Sequence, residues 1–173
     1  MLACNPDHRR RPSDAPWRRC RLAIGAAVLC AALPAAAFTF TDGTKLACTA
    51  RGVAISEYEA PPDDPVVAGR VGRAQTDGTN YVIAWNVPRL NALPPEVHDF
   101  IFFHECAHAQ LRTDDEVRAN CEGLKAMRAA GRAGAAIEAK LAAFFGAETA
   151  YWRGTLACAN ALAGQPGTTP AKK

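Results

Sequence analysis

Two histidines four residues apart, in the run His104-Glu105-Cys106-Ala107-His108, constrain the fold of this chain more than any other feature. Four apolar residues, Phe100–Phe103, come directly before the run, and the stretch from Glu96 to Leu111 contains no glycine or proline. We therefore predict a single helix across this stretch, with part of its surface in the core. Residues four apart on a helix differ by about 40° around its axis, so both imidazoles project from one face.

The same run matches the pattern H-E-x-x-H, whose residue types suit a zinc site. Imidazole is a preferred zinc ligand, and two rings on one face can reach one tetrahedral ion. Glu105 lies at the edge of that face, where it can reach a bound water without ligating the metal. Zinc lowers the pKa of water, and a nearby carboxylate can take the released proton as the water attacks a carbonyl. The motif predicts a Zn²⁺ cofactor and Glu105 as the general base of a hydrolysis.

The first 37 residues have the composition of an export signal. Six arginines come first, followed by an apolar run from Leu22 to Leu33, then Pro34 and the small residues Ala35-Ala36-Ala37. This order is typical of a secretory signal peptide, and the apolar run is too short to span a bilayer as a helix. We expect cleavage after Ala37 and a mature protein in the periplasm or outside the cell, with no stable membrane span.

Removal of this leader would change the charge of the chain. The whole chain has 20 Lys+Arg and 17 Asp+Glu, of which six basic and two acidic residues lie in the leader, so 14 basic and 15 acidic residues remain. A formal net charge of −1 gives no indication of a nucleic-acid partner. We expect one domain over residues 38–164 and a disordered tail over residues 165–173.

The order of the predicted elements indicates an α+β fold. Short strand-like runs occupy residues 45–87, and Val71–Gln75 and Tyr81–Val87 flank a turn with Asp77-Gly78 that predicts a hairpin. Helical stretches follow near residues 96–111, 114–130, 135–145 and 148–162. Strands followed by helices favour small sheets and hairpins packed on a helical half that carries the histidine pair.

The chain resembles the zincin metallopeptidases, and among them the small gluzincin-type proteins. The resemblance rests on His104–His108, the apolar helix half before it, an acidic residue that opens the next helix, and the strand Tyr81–Val87. It covers roughly residues 81–124. It implies a peptide or protein substrate, cleaved by a zinc-activated water, and an edge strand above the metal that pairs with the substrate backbone. Tyr81–Val87 is the strand expected in that place.

A catalytic zinc usually has three protein ligands and one open position. The one other histidine after the leader, His98, lies about 240° from His104 around the helix and is expected to be a partly exposed helix residue. The third ligand should therefore be a carboxylate. The resemblance assigns this role to Glu116, and it assigns to Asn120 the hydrogen bond that orients a ligating histidine, although the family usually has Asp there.

Other interpretations of this region remain open. Thr113–Glu116 also reads as a capping box, in which Glu116 bonds back to the backbone of Thr113. Asp114 stands where metzincins place their third ligand, but those proteins need Gly at the position of Leu111. The group that would stabilise an oxyanion is also open, among Tyr81, His98, Arg112 and Tyr151.

Four cysteines follow the leader, and an even number in an exported protein permits two disulfides. Cys106 lies about 200° from His104 on its helix, so it points away from the metal face. We expect Cys106–Cys121 to join the two helices that carry metal ligands. The remaining pair, Cys48–Cys158, would join the strand region to the last helix.

Three functions are compatible with these features. The sequence favours an exported zinc peptidase. A second hypothesis keeps the zinc but not the catalysis, and the protein is then a zinc-stabilised binding module in the cell envelope, with a structural role for Glu105. In a third hypothesis there is no metal, and the protein is a disulfide-linked structural protein.

Overall fold

The computed structural model describes residues 38–161, so the predicted leader and the predicted tail lie outside the described residues. Within this range short strands come first and helices follow, which confirms the α+β class. None of the helices described is long and apolar enough to cross a membrane. The strands are β1 (Phe38–Thr39), β2 (Lys45–Leu46), β3 (Thr49–Ala50), β4 (Val53–Ala54), β5 (Ser56–Glu59), β6 (Gly72–Thr76) and β7 (Tyr81–Trp85). The helices are α1 (Val87–Leu90), α2 (Pro95–Leu111), α3 (Glu116–Ala129), α4 (Ala135–Phe145) and α5 (Ala150–Asn160).

The four predicted helices are α2 to α5, and their ends agree with the prediction to within two residues. The short helix α1 was not predicted, because the strand was expected to continue to Val87. Asn86 ends that strand instead, and its side-chain oxygen accepts a hydrogen bond from the Arg89 backbone N–H at 3.2 Å. An asparagine in this position is a good helix cap, so the helix begins one residue later.

The predicted hairpin is confirmed as β6 and β7, joined through Asp77-Gly78. The Asp77 carboxylate accepts backbone hydrogen bonds from Thr79 at 2.9 Å and Asn80 at 2.7 Å, and Gly78 takes a positive φ of 99°. The turn is thus held by the aspartate and by the backbone freedom of glycine.

Strand β7 lies in the centre of a three-stranded sheet with the order β5-β7-β6. It pairs in parallel with β5 and antiparallel with β6, and Ile83 and Ala84, on its opposite faces, are both fully buried. The expectation that Tyr81–Val87 is an edge strand is therefore wrong. A continuous apolar run such as Tyr81–Trp85 is typical of a strand covered on both faces, and the edge strand beside α2 is β6.

Helix α2 forms the centre of the core. Towards β1, the Phe102 ring contacts Phe38 and Phe40, with ring centroids 5.1 and 5.2 Å apart. On the side of the other helices, Phe100 packs edge-on against Phe145 and Trp152. These aromatic contacts cover α2 on both sides. Burial of the rings fixes the orientation of the helix.

Helix α3 crosses α2 at very close range beside the histidine pair. A Cβ added to Gly123 would lie 3.0 Å from the backbone atoms of Phe103 and His104. Only glycine permits this approach without displacing backbone. The contact determines how near the first turns of α3 lie to His104.

Two disulfides are present, but their pairing differs from the predicted one. Cys48 is bonded to Cys106 and Cys121 to Cys158, with Cα atoms 5.5 and 5.7 Å apart. Cys106 does point away from the histidine face, but the segment beyond it is the strand region that contains Cys48. Cys121 follows Asn120, which faces α2, and a step of about 100° turns the thiol away from α2 towards α5.

Candidate metal centre

Three potential ligand atoms converge at the surface of α2. Nε2 of His104 and Nε2 of His108 lie 3.1 Å apart, and the two rings are nearly perpendicular, at 88°. Glu116 Oε2 lies 3.3 Å from the first of these nitrogens and 3.5 Å from the second. The two imidazoles are buried and the carboxylate is exposed, so the group opens to solvent on the side of α3.

These separations fit a zinc ion. Ligand distances of about 2.0–2.1 Å and tetrahedral angles place neighbouring ligand atoms about 3.3 Å apart. The three observed separations, 3.1, 3.3 and 3.5 Å, lie within 0.2 Å of that value. The residues present thus match both the ligand types and the size of a three-ligand zinc site.

The outer nitrogens of both rings are held by oxygen acceptors. His104 Nδ1 lies 2.7 Å from Asn120 Oδ1, and His108 Nδ1 lies 2.7 Å from the Thr113 carbonyl oxygen. A carbonyl oxygen can only accept, so each Nδ1 carries a proton and the neutral ring leaves Nε2 as a bare lone pair. Two bare nitrogens and a carboxylate oxygen that face one another favour a cation among them, either a metal ion or a proton.

A left-handed turn places the acceptor for His108. Arg112, which follows α2, has φ 53° and ψ 50°, and its N–H bonds to the His108 carbonyl. This conformation is uncommon for a residue other than glycine. It turns the chain back so that the Thr113 carbonyl meets the His108 ring.

The start of α3 determines which acid reaches the histidines. Asp115 is the N-cap, because its carboxylate accepts the Arg118 N–H at 3.0 Å, so the alternative interpretation, a capping box at Thr113, is wrong. Glu116 is then the first residue of the helix, and its carboxylate points towards the histidines. Asp114 lines the same cleft but lies outside the convergent group, so the geometry favours Glu116 over Asp114.

The charges of the convergent group are strongly coupled in the metal-free protein. The hydrogen bond from His104 is the main reason that the pKa of Glu116 falls from 4.5 to about 2, and partial burial opposes this shift. Burial acts to lower the pKa of His104, but the hydrogen bond to Glu116 and the charge of Glu105 outweigh it and raise that pKa. Without metal, a proton shared between His104 and Glu116 can serve as the cation.

Glu105 lies beside the convergent group and is anchored to the sheet. Its Oε2 accepts the backbone N–H of Ala74 at 2.7 Å, while Oε1 accepts no hydrogen bond from any of the residues 38–161. The strand comes this close because of Gly72, where an added Cβ would lie 2.7 Å from the Trp85 ring and 3.4 Å from Glu105 Cγ. One carboxylate oxygen is thus fixed by the strand, and the other is left available to a ligand in the cleft.

Strand β6 and its approach contribute residues that sequence reasoning missed. Arg70, Gly72, Arg73 and Ala74 line a cleft of about 180 Å³ together with Glu105, His108 and Glu116. A glycine within a strand is a sign of close backbone approach and could have drawn attention to this segment. The sequence gives no corresponding indication for Arg70 and Arg73, because their position beside the cleft depends on the order of the strands in the sheet.

The four candidates for oxyanion stabilisation lie in different places. Arg112 stacks over the Tyr81 ring at 5.9 Å, and both line a neighbouring groove. His98 is buried and bonds to Asp99 at 3.0 Å, so the expectation that it is partly exposed is wrong. Burial raises the pKa of the half-buried Tyr151 phenol, a nearby Asn120 lowers it, and the charges of Glu116 and Glu105 raise it further. The Tyr151 phenol therefore lies within the electrostatic reach of Asn120, Glu116 and Glu105.

Asn120 connects His104 to this tyrosine. Its Oδ1 is taken by the histidine, and its Nδ2 is buried without a hydrogen bond of normal geometry, although it lies close enough to influence the Tyr151 phenol.

Comparison with known proteins gave no match among family models, curated proteins or solved structures.

Proposed function

We propose that this protein is a zinc-dependent peptidase that acts outside the cytoplasm. The observation that carries the proposal is the convergence of His104 Nε2, His108 Nε2 and Glu116 Oε2 within 3.5 Å of one another. Each atom presents a lone pair, and nitrogen and carboxylate oxygen are ligands that zinc accepts in catalytic sites. The leader supports export, since its pattern is that of a secretory signal.

Glu105 is the proposed proton carrier of the reaction. When bound, zinc supplies Lewis acidity, which lowers the pKa of water and polarises a carbonyl. The free Oε1 of Glu105 takes the proton of the attacking water and returns it to the leaving amine. The Ala74 N–H holds the other oxygen, so the carboxylate keeps its orientation through both transfers.

The edge of β6 is the proposed binding place for the substrate backbone. The Asn86 backbone N–H donates a hydrogen bond to the Val71 carbonyl. Hydrogen-bonded pairs alternate along an antiparallel ladder, so the backbone groups of Gly72, Ala74 and Thr76 face away from β7. Because Glu105 occupies the Ala74 N–H, the Ala74 carbonyl and the backbone groups of Gly72 and Thr76 remain available to a substrate. An extended peptide can pair with such an edge and bring one carbonyl to the site.

Metal analysis tests the site itself. Protein purified without a histidine tag is expected to contain about one zinc per chain, because three protein ligands suffice for a catalytic zinc site. His104→Ala, His108→Ala and Glu116→Ala should each lower the zinc content at limiting zinc. Asp114→Ala is the matched control and should leave it unchanged. Zinc content near zero in the wild type, not raised by added zinc, would contradict the proposal.

Glu105→Gln tests catalysis separately from metal binding. Incubation with a broad peptide library, read by mass spectrometry, is expected to give cleavage products with the wild type. Loss of a general base lowers rates by about 10²–10⁴, so the variant should give almost none while it keeps its zinc.

The bond between Glu105 and Ala74 also favours a second candidate function. In a zinc-stabilised binding module, Glu105 would serve to attach α2 to β6. Glu105→Gln can still accept the Ala74 N–H, so it would then leave zinc content and stability unchanged. If wild type and variant are equally inert on the library, the binding module replaces the peptidase.

A further inference from the structure

Glu57 is a buried carboxylate without a basic partner in the part of the chain that the structure describes. Its exposed fraction is 6%, and it takes part in none of the salt bridges among residues 38–161. Its oxygens accept the Cys48 backbone N–H and the Trp85 indole N–H, each at 3.0 Å. A buried charge is costly unless an opposite charge compensates it.

Phe38 lies beside this carboxylate, since both residues line one cavity and both contact Trp85. Burial raises the pKa of Glu57, and hydrogen bonds from the backbones of Cys48 and Phe38 and from the Trp85 ring oppose that rise. Phe38 is itself fixed, since it is 5% exposed and its ring lies 5.0 Å from that of Trp85 and 5.1 Å from that of Phe102. The start of β1 is thereby held in the cavity that Glu57 also lines.

The two basic side chains that contact the Phe38 and Phe40 rings, His98 and Arg132, are already bonded to another acid. His98 lines the same cavity as Glu57, but its Nδ1 bonds to Asp99 at 3.0 Å. Arg132, which stacks on Phe40, also binds Asp99, at 3.3 Å. The other ionisable side chains that line the cavity, Tyr58 and Glu59, bring no positive charge.

We propose that Glu57 is the counter-ion of the α-ammonium group of Phe38 in the mature protein. Phe38 directly follows Ala35-Ala36-Ala37, the predicted cleavage site. Hydrolysis of the Ala37–Phe38 bond by a leader peptidase consumes one water, leaves a carboxylate on Ala37 and turns the Phe38 amide nitrogen into an ammonium group. The new cation is then produced at the place of the buried anion.

This ion pair would link removal of the leader to residues that support the metal centre. Glu57 holds Cys48, which is bonded to Cys106 within the histidine motif. It also holds Trp85, whose ring packs on Gly72 beside Glu105. In the uncleaved chain the Phe38 nitrogen is part of an amide and brings no positive charge to Glu57. The inference depends on export but not on a metal.

The reactivity of the α-amine tests the proposal. The full chain is exported by the host, and N-terminal sequencing of the purified protein should give Phe38 as the first residue. Cyanate should then carbamylate the α-amine at least about tenfold more slowly in the native protein than in guanidinium chloride, since tenfold corresponds to one unit of pKa. Glu57→Gln should restore the rate towards the unfolded value.

Glu59→Gln is the matched control, because Glu59 is an exposed carboxylate on the same strand, and it should leave the rate slow. A first residue other than Phe38, or equal rates in wild type and Glu57→Gln, would overturn the proposal. If Glu57→Gln does not fold, the pH dependence of the wild-type rate decides instead. A pKa of the α-amine above its ordinary range of about 7.7–8.0 supports the ion pair, and a value within or below it refutes it.

Discussion

Gly123→Ala is expected to weaken both the fold and the proposed metal site through one contact. The new methyl group would lie 3.0 Å from the backbone of Phe103 and His104, where carbon atoms prefer about 3.5–4.0 Å. Backbone cannot rotate away as a side chain can, so α3 must move from α2 by roughly 0.5 Å. The same helix carries Glu116 and Asn120.

The magnitude follows from two opposing effects. Overpacking of a rigid contact costs about 1–3 kcal/mol, and alanine in a helix interior gains about 1 kcal/mol over glycine. A net loss of about 1 kcal/mol would lower Tm by about 3–5 °C for a domain of this size. The longer Asn120–His104 bond should weaken zinc binding up to about tenfold, the lower end of the loss seen when a ligand's partner is removed.

Thermal and denaturant unfolding of the metal-free protein measures the first effect, and competition with a zinc chelator measures the second. Gly154→Ala is the matched control, because Gly154 also lies inside a helix but its added Cβ would meet only the Val117 side chain, at 3.2 Å. That variant should be as stable as the wild type or slightly more stable. If Gly123→Ala is no less stable than Gly154→Ala, the close approach of α2 and α3 is not rigid and the reasoning fails.

Three further predictions concern the centre and its frame. Asn120→Ala should weaken zinc binding by about 10–100-fold in the chelator assay because His104 loses its orienting partner, whereas Asn120→Asp should bind at least as tightly as the wild type; equal affinities for Ala and Asp would remove the proposed role. In the metal-free protein, Glu116 contributes to the free energy of unfolding above its unperturbed pKa of 4.5, and this contribution is lost as pH falls towards about 2. His104 contributes below its unperturbed pKa of 6.5, and its contribution is lost as pH rises through its raised pKa. Glu116→Gln should therefore lower the free energy of unfolding near pH 5.5 more than at pH 8, and a gap that is constant with pH would contradict the pairing. Peptide mapping without reduction should recover Cys48–Cys106 and Cys121–Cys158; the first closes a loop of 58 residues, so Cys48→Ala with Cys106→Ala should cost about 4 kcal/mol on the chain-entropy model, and a peptide linking Cys106 to Cys121 would contradict the pairing.

The local pattern of the sequence was enough to place the helices. Apolar spacing together with Gly and Pro at the boundaries predicted α2 to α5 to within two residues. It also predicted that His104 and His108 share one face, since four residues on a helix fix the angle between their side chains. The Asp77-Gly78 turn was predicted because its conformation depends on those two residues and hardly on the rest of the chain.

Contacts between distant segments could not be obtained in this way. The disulfide pairing depends on which element each face of α2 and α3 meets, and four cysteines permit three pairings. The edge strand was misassigned because sheet order is set by packing of whole strands. That order also brings Ala74 to Glu105, 31 residues later.

The helix, the spacing of its two imidazoles and the acid beside them could be predicted from the sequence, because these features depend on residues within one or two turns. The carboxylate that joins them and the acceptors that fix the two rings became known from the fold. The positions of these groups depend on how closely α3 approaches α2 at Gly123 and on the turn at Arg112. Such contacts between two elements cannot be predicted from the residue spacing within either element.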